Sequence, residues 1–488
     1  MYEQLQHILQ SNRLILPELI FTGTFLVVVL LLAFSKSLDY ERIHNIFNFL
    51  VISVLVSLSF VFWGFLSYYK TYFESGSVLY SGLLYLDTEA IYFKLLISVC
   101  SVIVLLHLWV VGYRVVGEFY AIFIAVILGL YLLTMTTNLL MMYIAVEFVS
   151  ISSYILVAFN KGKLNAEAGI KYLLVGATSS AIMLYGISLL YGMTGTLDFA
   201  SQQFATNLLL NPSWVVLAVV FMSIGGLLFK LSAAPFHIWT PDIYEATPTP
   251  IVSFLSIAPK AGSLLVLSRF LSNLTVDYQL IIGVVILVSI TIGNLSALWQ
   301  KNTKRLLGYS TIAHAGFILV GLLAINEDGM KSAIFYVSTY AVITMAAFLL
   351  VDLLALKTDS YELEELRGLG QVNPTLAVSA TVIMIALVGL PPTVGFTGKL
   401  LIFSALYQGY EDTASGLMLF VLIFGLINTA ISIFFYFKIP YFMLLKDGEG
   451  NQYFNMSISQ RILLFILTGA IIFLFVYPSR LMEIINSL

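Results

Sequence analysis

Cysteine is nearly missing from this 488-residue chain: Cys100 stands alone, and the five histidines are scattered. Disulfide frameworks, thiolate clusters and zinc spacings are therefore absent, and no redox cofactor is expected on this chain. Charge is scarce as well. Only 10% of residues are Asp, Glu, Lys or Arg, against roughly 25% in an ordinary soluble domain, which rules out a soluble globular fold. The 23 Lys and Arg nearly balance the 26 Asp and Glu, leaving a net charge of -3. Such a chain offers no basic surface for nucleic acid. It also lacks a Gly-rich phosphate loop, an activated serine or cysteine, and a paired-carboxylate site of the hydrolase kind. No linker, low-complexity tract or separate soluble domain is visible.

What the chain has instead is apolar length, with 60% hydrophobic and 14% aromatic residues. A spanning helix needs about 20 such residues, so with connections there is room for at most roughly 15. Apolar runs bounded by charged, Gly or Pro clusters fall near 15–35, 44–66, 89–112, 118–135, 137–159, 166–192, 213–234, 251–272, 278–298, 304–324, 329–355, 375–390, 414–439 and 460–478. The expected fold is an all-α polytopic membrane protein of about fourteen helices. The first run continues past twenty residues with no small-residue cleavage site, so it reads as a retained helix and not a signal peptide. Connecting Lys and Arg concentrate on one side, which holds Lys36, Arg42, Arg114, Lys161, Lys163, Lys301, Lys304, Arg305, Lys357, Arg367, Lys438, Lys446 and Arg461. Arg13, Lys70, Arg269, Lys331 and Arg480 lie on the other. By the positive-inside rule the first side is cytoplasmic, and an even number of spans puts both termini outside.

Two places interrupt the pattern alike. FKLSAAPFHIWTPDIYEATPTP carries Pro235, Pro241, Pro248 and Pro250, and ALVGLPPTVGFTGKLLIF carries Pro391 and Pro392. Proline removes an intrahelical hydrogen bond, so both read as broken helices whose freed carbonyls need protein or a hydrated cavity at membrane depth. The breaks fall in the seventh and twelfth spans. A tandem repeat of five spans inverts its second copy, which makes spans four to eight and nine to thirteen candidate inverted repeats. The resulting division is 1–115, an N-terminal three-helix segment; 116–274, the first repeat; 275–440, the inverted second repeat; and 441–488, the C-terminal helix.

Ionisable residues at membrane depth cost about 2.5 to 3.5 kcal/mol each on insertion scales and mark function by default. Glu147 lies near the middle of the fifth span, Lys230 just before the first break, Lys260 within the eighth span and Lys399 just after the second break. Each has a structural alternative. Lys399 can snorkel, Glu147 can merely neutralise Lys230, and His314 can be a hydrogen-bonded core histidine rather than a relay. His237 can simply support the broken helix. Asp242 and Glu245 read as solvated loop charges, Lys301, Lys304 and Arg305 as membrane anchors, and Asp352 and Lys171 as structural. A lysine changes charge near neutrality only where its surroundings disfavour the ammonium by about three pKa units, roughly 4 kcal/mol. Buried lysines beside one carboxylate thus suit a proton switch that needs no metal, nucleotide or redox centre.

At this point the residues carry a resemblance. LLFKLSAAPFHIWTPDIYEATPTPIVSFLSIAPKAG, WQKNTKRLLGYSTIAHAGFILVGL, LVGLPPTVGFTGK and EAGIKYLLVGATSSAIMLYGISLLYGMTGT closely resemble the subunit N family of the proton-pumping NADH:quinone oxidoreductase, respiratory complex I. The wider family includes its sister antiporter-like subunits and Mrp-type sodium/proton antiporters. The resemblance implies a proton-translocating membrane-arm subunit of an enzyme complex, driven by quinone reduction elsewhere. It implies a relay of Glu147, Lys230, Lys260, Lys399 and His314, with His237 as a further relay or support. Flavin and iron–sulfur clusters are then expected only on partner subunits. The implied partners are neighbouring membrane-arm subunits, the lipid bilayer, protons and internal water. The implied setting is an energy-transducing membrane, the bacterial cytoplasmic membrane in particular. A stand-alone or Mrp-like cation/proton antiporter is the alternative, and a scaffold whose lysines are relics is a third reading.

Overall fold

The computed structural model describes residues 8, 9, 11–34, 40–72, 76–160, 162–448 and 456–488. The expected anchors Lys36 and Lys161, and the side chains of Arg42 and Lys70, lie outside the described residues. Helices dominate: α1 (Leu16–Phe34), α2 (Tyr40–Tyr72), α3 (Thr88–Val111), α4 (Gly117–Thr134), α5 (Leu139–Val157), α6 (Lys163–Thr194), α7 (Ser213–Ser223), α8 (Gly225–Leu231), α9 (Thr240–Ala246) and α10 (Thr249–Leu255). There follow α11 (Ala258–Ser272), α12 (Gln279–Leu298), α13 (Thr303–Leu323), α14 (Glu327–Thr358), α15 (Pro374–Val388), α16 (Val394–Thr413), α17 (Gly416–Tyr436), α18 (Lys438–Leu445), α19 (Ile458–Val476) and α20 (Pro478–Ile485). A small hairpin, β1 (Ser77–Leu79) with β2 (Leu84–Leu86), connects α2 to α3.

The chain is a multi-pass membrane protein. Among the described residues, 12 helices are long and apolar enough to cross a membrane, or up to 13 when the bent pair α7 and α8 is one span. The run expected at 375–390 is α15, a 15-residue helix too short to cross by itself. The bend between α7 and α8 is 47°, and the chain then stays irregular until α9. The second break separates α15 from α16, where Gly389 takes a left-handed φ of 85°.

The described chain forms two compact units, one of Met1–Leu231, Ala258–Tyr278 and Leu488, the other of Ser232–Ile257 and Gln279–Ser487. Within the first, α4 packs on α5, α5 on α6, α6 on α7 and α8, and α11 on α4. Within the second, α12 packs on α13, α13 on α14, α14 on α15 and α16, and α17 on α12. Close approach depends on small residues. A Cβ at Gly129 of α4 would lie 2.9 Å from Val149 of α5, and one at Gly293 of α12 would lie 2.5 Å from the Ala313 nitrogen of α13.

Each unit also builds the same turn. Asn138 caps α5 by accepting from the Leu140 and Met141 amides, and Asn302 caps α13 by accepting from those of Lys304 and Arg305. Each satisfies donors that a helix N-terminus leaves orphaned. Beside Asn138, Leu139 N donates to Leu197 O at 2.8 Å and Phe199 N to Thr137 O at 3.2 Å. Beside Asn302, Thr303 N donates to Tyr361 O and Leu363 N to Lys301 O, both at 2.8 Å. The closing carbonyls are also matched. Arg269 donates to Thr134 O at the end of α4, and Lys438 to Leu298 O at the end of α12.

Candidate functional site

In the first unit the break after α8 leaves the Leu231 carbonyl without a helical partner, and Lys260 of α11 donates to it. Lys260 is 0% exposed, so its ammonium and this carbonyl are removed from lipid together. Lys230, one residue earlier on α8, is also buried, and its Nζ has no hydrogen-bond partner. Three rings surround it, with centroids 5.3 Å away for Phe229, 5.5 Å for Tyr172 and 5.7 Å for Tyr154. Such cation–π contacts supply about 2 kcal/mol each when desolvated. Tyr154 reaches this position because Gly176 of α6 faces it, where a Cβ would lie 1.8 Å from the phenol oxygen.

Glu147 is half-buried on α5, beside the outward-facing Ile144, Phe148 and Ile151. Its Oε1 is buried without a hydrogen-bond partner. Glu147 is near enough to act electrostatically on Lys230, but no hydrogen bond joins them, so the expected pair stands open in this structure. A carboxylate near an ammonium but not bonded to it is a costly arrangement, offset here by the rings around Lys230. It leaves both groups free to exchange a proton or a partner.

The second unit repeats the lysine-to-carbonyl tie on another break. Lys399, in the first turns of α16, donates at 2.7 Å to Val388 O, the last carbonyl of α15, and its Nζ lies 4.5 Å from the Phe317 ring centroid. Gly389 makes room for this, since a Cβ there would stand 2.7 Å from Lys399 Cδ. Gly395 is equally constrained, with a Cβ position 1.9 Å from Ala386 O. His314 of α13 sits in a phenol cage. Its Nδ1 is 2.7 Å from the Tyr336 hydroxyl and its Nε2 is 3.0 Å from that of Tyr436, while Tyr340 stacks on the ring at 4.3 Å. Ser310 shares a further hydrogen bond with Tyr436. A ring nitrogen and a hydroxyl exchange donor and acceptor roles readily, so this cage is a short proton wire by chemistry.

His237 lies in the irregular segment between α8 and α9, half-buried, with Nδ1 unpartnered. The nearby backbone break is supported otherwise, by Ser289 of α12, whose hydroxyl accepts from Ala234 N at 2.9 Å. Thus Glu147, Lys230 and Lys260 belong to the first unit, and His237, His314 and Lys399 to the second.

The anchor reading of Lys304 needs correcting. It is 3% exposed, donates at 2.5 Å to Thr247 O and lies 4.7 Å from the Tyr361 ring centroid, because its first-turn position on α13 points it at the end of α9. Arg305 is held at 2.7 Å by Asp242 and 2.8 Å by Glu245, so those two carboxylates are paired and not simply solvated. Lys171 is exposed and pairs with Glu167 at 3.0 Å. The tyrosine cage went unnoticed in the sequence because 28 tyrosines give no contrast. Their spacing is the only signal, since Tyr336 and Tyr340 share one face of α14. A buried ion pair between Lys94 and Glu18 was also missed, because Glu18 sits where a helix start ordinarily meets solvent.

The family model described as NADH:quinone oxidoreductase/Mrp antiporter, TM, matches residues 136–432. The chain is similar to a protein named NADH-quinone oxidoreductase subunit N 2 from Chloroherpeton thalassium, 34% identical over 94% of this chain and 90% of that protein. Among solved structures, a chain of respiratory complex I from Thermus thermophilus superposes with a TM-score of 0.78 at 28% identity, covering 96% of this chain and 98% of that one. A chain of an archaeal membrane-bound sulfane sulfur reductase superposes with a TM-score of 0.83 at 25% identity, covering 98% and 96%.

Proposed function

Since the chain belongs to the NADH:quinone oxidoreductase/Mrp antiporter family, alongside the subunit N proteins, we propose that it is the proton-translocating membrane subunit of a NADH:quinone oxidoreductase. Its protons move through Glu147, Lys230, Lys260, His314 and Lys399, with His237 assisting at the first break. Quinone is reduced elsewhere in the complex, and flavin and iron–sulfur clusters reside on partner subunits. Neighbouring antiporter-like and small helical membrane-arm subunits are its partners. It works in an energy-transducing membrane, the bacterial cytoplasmic membrane, with both termini outside.

One observation carries this reading most directly: in each unit a buried lysine ammonium is tied to the last carbonyl before a helix break, Lys260 to Leu231 and Lys399 to Val388. The tie gives each ammonium a partner that carries no formal charge of its own. Opening or closing the Glu147–Lys230 pair then alters the field at the relay. Moving one charge against 100 mV requires about 2.3 kcal/mol, which is within reach of such a change.

The test is proton pumping by the assembled complex in proteoliposomes. Lys230→Ala and Lys399→Ala should assemble and pump severalfold more slowly per quinone reduced. Unchanged pumping in either would sink the relay. Sodium-dependent pH changes in vesicles containing this chain alone would favour a free-standing antiporter instead.

A further inference from the structure

The relay leaves two buried lysines unused, Lys94, which pairs with Glu18, and Lys304. Lys304 lies at the start of α13 with its ammonium on the Thr247 carbonyl and over the Tyr361 ring. Tyr361 in turn donates to Asp352 of α14 at 2.9 Å and is 3.3 Å from the Thr249 hydroxyl. Asp352 and Glu245 act electrostatically on Lys304. Glu245 and its neighbour Asp242 are engaged by Arg305. A tie to one carbonyl does not need a charge, since a neutral amide would make it at far smaller desolvation cost.

From this cluster a polar column runs toward His314. On α13 Lys304, Gly308, Thr311 and His314 fall on one side at helical spacing, covering about 15 Å. On α14 Asp352, Thr344, Tyr340 and Tyr336 follow one another in steps that share a face, and all are buried. Between them lies α9, which approaches so closely that a Cβ at Gly308 would be 3.1 Å from Pro241 Cα and 3.6 Å from Thr240 O. The Thr240 and Thr247 hydroxyls are buried and have no protein partner, which in a native interior points to internal water. Thr311 and Tyr340 meet at 3.2 Å just before the cage. An apolar step interrupts the column where Tyr244 and Phe348 meet with centroids 5.9 Å apart.

We propose that Lys304, with Asp352 and Tyr361, is a proton-loading site of the second unit, feeding the His314 cage through water held by the Thr240 and Thr247 hydroxyls. In one cycle Lys304 Nζ gives a proton to an adjacent water and becomes a neutral amine. The water chain delivers one proton to the His314 imidazole, and Nζ takes another from the aqueous edge. Tyr244 and Phe348 form the constriction that the water chain must cross. This inference rests on the proton-translocation reading and adds its entrance.

Arginine separates the two roles of Lys304, because a guanidinium can hold the Thr247 carbonyl and face Asp352 but does not release its proton. Complexes carrying Lys304→Arg, Asp352→Asn or Thr240→Val are to be assayed in proteoliposomes for quinone reduction and for protons moved per quinone. Lys304→Arg is expected to assemble normally and to lower the proton yield about twofold or more, with Asp352→Asn and Thr240→Val lowering it in the same direction. A wild-type yield in Lys304→Arg would make Lys304 a plain helix tie and overturn the proposal. Should that variant fail to assemble, wild-type yields in both Asp352→Asn and Thr240→Val would overturn it equally. The parallel Lys399→Ala and Lys230→Ala complexes keep the two ideas apart. If those pump normally the relay itself is wrong, whereas a normal yield confined to the Lys304, Asp352 and Thr240 variants removes only the loading site.

Discussion

A single lysine in this chain is defined by what its ammonium touches, and three different answers occur. Lys260 and Lys399 hold carbonyls, Lys230 holds only rings, and Lys94 holds a carboxylate. The lysines stood out in the sequence because charge at membrane depth is rare, but their partners did not, since carbonyls belong to every residue and rings to a seventh of this chain. Glycine sets the limits on one of these sites. Gly389→Ala would place a methyl 2.7 Å from Lys399 Cδ at a φ of 85°. It should destabilise the fold by about 1 to 3 kcal/mol and slow pumping. A melting temperature equal to wild type in the purified complex would refute this. Glu147→Gln keeps the shape and removes the charge. Pumping per quinone should drop severalfold while quinone binding elsewhere is untouched, and a wild-type rate would show that Glu147 is only structural.

At the scale of the helix, prolines made both breaks legible, and the structure interrupts a helix in each expected place. The side of each break that carries its lysine was legible too, Lys230 lying near the end of the helix before the first and Lys399 in the helix after the second. The carbonyls that the breaks free, and the lysines that take them, were not, because proline marks where hydrogen bonds fail and not what replaces them. The turns at Asn138 and Asn302 likewise escaped notice, since a cap is one polar residue among loop residues until its backbone acceptors are known. Removing either side chain should cost about 1 kcal/mol, read as a lower thermal midpoint for Asn138→Ala and Asn302→Ala. Equal midpoints for wild type and both variants would mean that the bridging strands hold these turns unaided. Ser289→Ala should cost more, about 1 to 3 kcal/mol, because it strands the buried Ala234 amide.

For the whole molecule, composition alone placed the chain in lipid, and hydropathy located most of its helices. The span count is where hydropathy fell short, since α15 and α16 are individually too short or too polar to register as spans. Chain order and packing also divide the molecule differently. Residues 232–257 lie within the first repeat in sequence but pack in the second unit, because the break releases α9 and α10 to lie on α13 and α14. A repeat is a statement about sequence order, a compact unit one about contact, and the break lets them disagree. Orientation is testable at this scale. Single cysteines placed in loops of a Cys100→Ser chain and exposed to an impermeant thiol reagent should label at residues 211 and 276 from the outside of intact cells. Labelling there only in inverted vesicles would reverse the assigned sidedness.

The ties at Leu231 and Val388 have one more consequence, which concerns the helix dipole. Both carbonyls are the C-terminal ends of helical segments, where aligned peptide dipoles concentrate roughly half a negative charge. Lys260 and Lys399 are therefore each met by a charge that belongs to the backbone. That charge carries no proton, so it cannot compete with the relay for one, and no side-chain substitution can delete it without unwinding the helix that produces it.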